Sequence, residues 1–129
     1  MNNLSHIAIV GLGSIGRRHL RLFRELRPEL EITLVRSGIG QSWPEESLAQ
    51  RKVFSISEAI NAGAQAAIIS SPSPYHIEQS LEFASSGVHL LIEKPLSHNI
   101  QNVNASSNTL TQVVDAKLYF SNERELKLR

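Results

Sequence analysis

Four short apolar runs divide the chain: HIAIV (6–10), EITLV (31–35), AAIIS (66–70) and VHLLI (88–92). They are continuous, not alternating, and rich in β-branched residues, the pattern of strands buried on both faces of a parallel sheet. A weaker run, KVFS (52–55), predicts a further strand, and AKLYF (116–120) a sixth. The intervals carry helical spacing. In SIGRRHLRLFREL (14–26), Ile15, His19, Leu22, Phe23 and Leu26 share a face, arginines take the rest, and Pro28 ends the helix. SEAINAG (57–63) predicts a short helix closed by Gly63, and SPYHIEQSLEFASSG (73–87) a longer one that starts near Pro74 and is closed by Gly87. Residues 97–113 are a poorer helix candidate, because asparagines and β-branched residues lower the propensity. Segment 37–51 reads as a loop with a turn of helix from Pro44.

Strand and helix in repeated alternation mean an α/β domain built on a doubly wound, mostly parallel sheet of about six strands. Such sheets bind ligands at the carboxyl ends of their strands. The places to look are therefore residues 11–16, 36–38, 70–76 and 93–97.

Composition narrows the classes without changing this picture. With 129 residues, 41% hydrophobic and 19% charged, the chain has enough material for one globular core. A net charge of +1 carries no electrostatic case for nucleic acid or an anionic membrane surface. No run approaches the ~18 apolar residues that span a bilayer. The start, MNNLSHIAIVG, lacks a basic region and a long apolar segment, so no signal peptide is expected and a cytoplasmic location is the default. The chain has no cysteine, which removes disulfides, thiolate nucleophiles and cysteine–zinc sites together. The histidines at 6, 19, 76, 89 and 98 show no paired ligand spacing on a helix face, so no metal site is expected.

The first strand runs directly into GLGSIG, which opens the first helix and matches G-x-G-x-x-G with Gly11, Gly13 and Gly16. In that motif the first glycine permits the tight turn, the second lets the backbone approach a pyrophosphate, and the third lets helix and strand pack closely. The helix N-terminus, with Ser14 and Ile15, then supplies free N–H groups and partial positive charge for the phosphates. No Lys-Ser or Lys-Thr pair follows the last glycine, so this is not a P-loop. The reading is a Rossmann-type dinucleotide site, against the plain alternative that the glycines only make a tight turn.

An acidic residue about 20 positions past the last glycine would bind the ribose 2′-hydroxyl of NAD. Here that position is Arg36, followed by Ser37 and Gly38, with no carboxylate. A guanidinium can form a forked contact with a 2′-phosphate and stack on adenine, and Ser37 adds a hydroxyl donor. NADP is accordingly the expected cofactor, with NAD as second candidate. The alternative is that Arg36 is a solvated strand-end residue that selects neither.

SSPSPYH (70–76) follows the fourth strand and EKPLS (93–97) the fifth. Taken with GLGSIGRRHL, in this order and spacing, they resemble the glucose–fructose oxidoreductase, inositol dehydrogenase and MocA family over nearly the whole chain, from Ile7 to about Phe120. The E-K-P element is the most specific part. The resemblance implies an NAD- or NADP-dependent oxidoreductase acting on hydroxyl carbons of sugars, inositols and sugar nucleotides. It places Lys94 beside the nicotinamide and substrate as the catalytic residue, where an ammonium can stabilise developing negative charge and help move a proton. Glu93 and Pro95 would fix the loop that presents it. Ser71, Pro72, Ser73 and His76 would contact the cofactor around its ribose and nicotinamide side. His19 is expected to pack on the first helix without a part in the chemistry.

Family members continue into a larger α/β domain with an open sheet, which supplies further catalytic groups, substrate specificity and oligomer contacts. This chain ends at Arg129, so residues 1–120 are expected to form the cofactor domain and 121–129 the start of a connection to a substrate domain. Relatives often carry an arginine just after the sixth strand; here Ser121 or Asn122 stands at that place. A sugar-type substrate is then expected only with the second domain, and apolar surface meant for that domain can drive association. Two other readings stay open: a non-catalytic module that senses NADP(H) redox state, and a plain nucleotide binder.

Overall fold

The computed structural model describes residues 4–38, 40–93 and 118–121, the last four as backbone. The elements in chain order are β1 (His6–Val10), α1 (Ser14–Leu26), β2 (Glu31–Val35), a 3₁₀ turn (Pro44–Leu48), β3 (Arg51–Val53), α2 (Ile56–Asn61), β4 (Ala66–Ile69), a second 3₁₀ turn (Ser73–Tyr75), α3 (His76–Ala84), β5 (His89–Glu93) and β6 (Leu118–Ser121). The helix expected over 97–113 lies outside the described residues. Every strand pair is parallel, and the order across the sheet is β3-β2-β1-β4-β5-β6. From β1 the chain winds outward to β3, then returns to the other side of β1 at β4. The strand order reverses there, which opens a crevice between the loops after β1 and β4.

The continuous apolar runs are explained by burial on two sides. Ile7, Ile9, Ile32, Leu34 and Ile68 meet Leu12, Leu20 and Leu30 on the α1 face. Ala8, Val10, Ala67, Ile69, Leu90 and Ile92 meet Ile56 and Ala59 of α2 and Phe83 and Ala84 of α3 on the other. A fully buried isoleucine or leucine contributes roughly 1.5–3 kcal/mol of transfer free energy. None of the described helices is long and apolar enough to cross a membrane.

Helix α1 matches the expected face in part: His19 and Phe23 are half-buried as expected, and Ile15, Leu22 and Leu26 are not. The residues turned to the sheet are Gly16 and Leu20, with Phe23 half-buried behind them, whereas Ile15, Leu22 and Leu26 are 42%, 43% and 75% exposed. The row 15–19–22–26 has the same helical spacing and more apolar residues than 16–20–23, so periodicity favours the wrong row. Contact with the loops decides it. A methyl group on Gly16 would lie 2.2 Å from the Gly11 carbonyl oxygen and 2.8 Å from Ser70 Oγ, so only a glycine can form the point of closest approach. The rest of the helix follows that register. Its C-terminal end is held by Arg24, which donates to the carbonyls of Leu30 (2.7 Å), Pro28 (2.8 Å) and Leu48 (2.7 and 2.9 Å).

Candidate functional site

The turn between β1 and α1 is built by its glycines for different reasons. Gly11 has φ +87°, and a Cβ there would sit 2.8 Å from the backbone of Ser71, so both conformation and space require glycine. Gly16 is the close contact just described. Gly13 is different: it has φ −70°, and nothing lies within 4 Å of a Cβ built on it. Neither its φ nor the non-adjacent atoms around it call for glycine. The open space lies at the N-cap of α1, where no side chain caps the helix and no acidic residue stands in the first turn. The first amides of a helix have no internal partners, and here their partial positive charge meets neither a capping side chain nor a carboxylate. Ser14 and Ile15, the first two helical residues, are exposed beside it.

Ser70 joins this turn to the loop after β4. Its hydroxyl lies 2.8 Å from the Val10 carbonyl oxygen and 3.0 Å from that of Gly11, and its amide donates to Val10 at 2.9 Å. Sequence reasoning passed over Ser70 in favour of Ser71, although a polar residue closing an apolar strand was a usable signal. Ser71 donates its hydroxyl to Gln79 Oε1. Pro72 is exposed and Ser73 half-buried.

His76, expected to contact the cofactor, is placed at the start of α3. It is 2% exposed, its ring hydrogen-bonds the Ser71 carbonyl oxygen, and its own carbonyl accepts from Ser80 Oγ. The first turn of α3 buries it under the loop, so it holds Ser71 in place from behind.

At the end of β2, Arg36 donates from Nη1 to Glu46 Oε2 (3.0 Å) and from Nη2 to the Gln41 carbonyl (2.9 Å), with its side chain only 13% exposed. The expected free guanidinium is thus engaged within the protein. Glu46 also accepts from the Trp43 amide at 2.7 Å and faces Lys52 Nζ at 3.1 Å. The Trp43 amide first, then Lys52 and Arg36, hold its carboxyl below the usual carboxylate range against the opposing effect of burial. The guanidinium carbon of Arg17 lies over the Trp43 ring, 3.5 Å from its centroid. Its buried Nη1 has no hydrogen-bond partner among the described residues. Ser37 and Gly38 are exposed, with Gly38 against the Phe54 ring. The parts of this cluster contributed by Glu46, Lys52, Trp43 and Arg17 had no motif to announce them.

At the end of β5, Glu93 Oε1 lies 2.6 Å from His19 Nε2, and both side chains are largely buried (18% and 14% exposed). His19 is therefore more than a packing residue of α1: it anchors the residue that precedes Lys94. Lys94 and Pro95 themselves lie outside the described residues. Among the described residues, no group of three histidines or acids is placed to hold a metal ion.

The register levels these ends, with Val10 opposite both Val35 and Ile69, and Ile69 opposite Ile92. Arg36, the glycine turn, Ser70–Ser73 and Glu93 thus follow one another along the carboxyl edge. At about 4.8 Å per strand, the ends of β2 and β5 stand about 14 Å apart. An uncapped helix start at the centre, a charged cluster at one end and an acid preceding a lysine at the other can accommodate an extended diphosphate-bridged ligand.

Residues 5–115 match the model of the GFO_IDH_MocA oxidoreductase family with an NAD-binding Rossmann fold, and the chain belongs to that family. Solved structures share the fold. A scyllo-inositol dehydrogenase from Lactobacillus casei, with bound NAD(H) and scyllo-inositol, superposes with a TM-score of 0.78 at 20% identity, covering 92% of this chain and 36% of its own. A myo-inositol dehydrogenase from Corynebacterium glutamicum gives 0.76 at 23% identity, covering 90% and 35%. The WlbA dehydrogenase from Chromobacterium violaceum, in complex with NADH and UDP-GlcNAcA, gives 0.72 at 20% identity, covering 93% and 36%. The chain therefore spans little more than a third of the length of these proteins. No curated protein sequence matches it.

Proposed function

We propose that this chain is the dinucleotide-binding half of an oxidoreductase that moves hydride between a nicotinamide cofactor and a hydroxyl carbon of a sugar, cyclitol or sugar nucleotide. The observation that carries the cofactor claim is Gly13. It is a glycine that the protein's own packing and backbone do not need, set in open space at an uncapped helix N-terminus. A pyrophosphate approaching the backbone there accounts for it. Gly11, Gly13 and the first amides of α1, at Ser14, Ile15 and Gly16, would hold the phosphates. Ser71, Pro72 and Ser73 would line the ribose and nicotinamide side, with His76 positioning Ser71.

When bound, the nicotinamide takes up or releases the hydride. Oxidation of the alcohol carbon also frees one proton from its hydroxyl. Lys94, next in the chain after Glu93, would hydrogen-bond that oxygen and help pass the proton on, with Glu93 held by His19 and Pro95 stiffening the loop. The substrate class is supported by the inositol and nucleotide-sugar dehydrogenases that share the fold. At the adenosine end, residues 36–38 hold no carboxylate, and Arg36 and Lys52 outnumber Glu46. That balance supports binding of both nucleotides, with NADP(H) modestly favoured over NAD(H).

The test is titration of the purified chain with NADH and with NADPH, followed by nucleotide fluorescence at low and moderate salt. Saturable binding of both, with NADPH tighter by up to about tenfold, is expected from one shared charge-assisted contact. Binding of neither by a folded chain would overturn the cofactor reading.

A further inference from the structure

Two cations and one carboxylate meet at the end of β2, and the carboxylate comes from a place no dinucleotide motif marks. Glu46 lies in the 3₁₀ turn, ten residues past Arg36. Its Oε2 accepts from Arg36 Nη1 (3.0 Å) and from the Trp43 amide (2.7 Å), and its Oε1 faces Lys52 Nζ (3.1 Å). Arg36 directs its other terminal nitrogen to the Gln41 carbonyl. Both ends of the guanidinium fork are thus turned to the protein, and its side chain is 13% exposed, whereas Lys52 is 42% exposed.

From this geometry we infer that Glu46 is the residue that sets discrimination between NADP(H) and NAD(H), by standing where a 2′-phosphate would otherwise find its cations. The inference rests on the dinucleotide reading above and deepens it. A carboxylate and a phosphate monoester present the same kind of oxygen acceptors to a guanidinium and an ammonium. The two therefore compete for Arg36 and Lys52, and the phosphate gains only what exchange with Glu46 leaves. NAD(H), with a neutral 2′-hydroxyl, does not enter that competition. Lys52, the more exposed cation, is the one a 2′-phosphate can reach without displacing Glu46 from Arg36.

Two substitutions test this. Glu46→Gln keeps the side-chain shape and one acceptor for the Trp43 amide while removing the charge that holds the cations. Lys52→Met keeps the stem and removes the cation. Kd values for NADPH and NADH are measured by fluorescence titration on the full chain, with thermal melting to confirm the fold. In Glu46→Gln the ratio of NADH to NADPH dissociation constants should rise at least about tenfold over wild type, and in Lys52→Met it should fall. A ratio in Glu46→Gln that stays constant or falls overturns the role of Glu46. If that variant does not fold, a ratio unmoved in Lys52→Met overturns the cluster as the selector. NADH binding by wild type stands apart from the ratio: if wild type binds neither nucleotide, the cofactor reading itself fails and takes this inference with it.

Discussion

His19 Nε2 and Glu93 Oε1 lie 2.6 Å apart across 74 residues of sequence, joining the first helix to the end of β5. Both groups are more than four-fifths buried, so the contact is shielded from water where it stands. It ties the end of β5, at the residue before Lys94, to the same helix whose N-terminus faces the glycine turn. Replacing His19 by Ala leaves the Glu93 carboxylate without this partner. A loss of about 1.5–3 kcal/mol in urea denaturation is expected, of the size of a hydrogen bond to a charged group. A His19→Ala/Glu93→Ala double-mutant cycle should return a coupling of about 1 kcal/mol, and additive losses would deny the link.

Gly13→Val separates ligand space from protein packing. The Cβ enters open space from an ordinary extended backbone, so stability should change by no more than about 2 kcal/mol, the scale of an N-cap exchange. Dinucleotide binding should fall at least about 100-fold if a pyrophosphate needs that space. A folded Gly13→Val chain that still binds NADH normally would remove the main support for the cofactor site.

Gly16→Ala should do the reverse. Its methyl group meets the Gly11 carbonyl at 2.2 Å and Ser70 Oγ at 2.8 Å, so helix and turn must move apart. Overpacking of this kind costs about 1–3 kcal/mol, readable as a lower denaturation midpoint with an unchanged slope.

A pH effect is expected at the opposite edge of the sheet. His6 is 5% exposed; its Nε2 lies 2.7 Å from Thr33 Oγ1 and 3.2 Å from Arg51 Nη1, and Arg51 also pairs with Glu31. An arginine nitrogen only donates, so Nε2 is an acceptor and the neutral ring is favoured. Burial first, then Arg51, lowers the His6 pKa from 6.5, with Glu31 opposing them. The unfolded chain therefore binds the proton more readily than the native one as pH falls below about 6.5. The stability that His6 contributes is complete above that pH and declines below it toward the lower native value. Glu31 and Glu46, whose carboxyls are held below their ordinary 4.5, add a further loss only in the more acidic carboxylate range. His6→Gln should flatten the dependence of the denaturation midpoint on pH below 6.5, and an unchanged slope there would exclude His6 as its source.

The local features were legible because each depends on neighbours a few residues away. Continuous β-branched runs are the pattern of strands buried on both faces, and β1, β2, β4 and β5 fall within a residue of those runs. Gly63 and Gly87 follow α2 and α3 as their positions imply, and the glycine turn is a property of six consecutive residues. What the sequence determined by itself is therefore the series of elements, the doubly wound class and the place of the dinucleotide loop. The tertiary structure decided which row of α1 is buried, because the Gly16–Gly11 approach outweighs an apolar stripe that periodicity ranks higher. It also turned His76 inward, gave His19 a partner at Glu93, and enclosed Arg36 with Glu46 and Lys52. The His19–Glu93 pair, 74 residues apart, and the approach of Gly16 to Ser70 join segments that only strand order brings together, whereas His76 and Arg36 meet partners five and ten residues away whose side-chain placement the packed loops decide. A side chain's charge partner is set by that proximity, and residue type alone does not carry it.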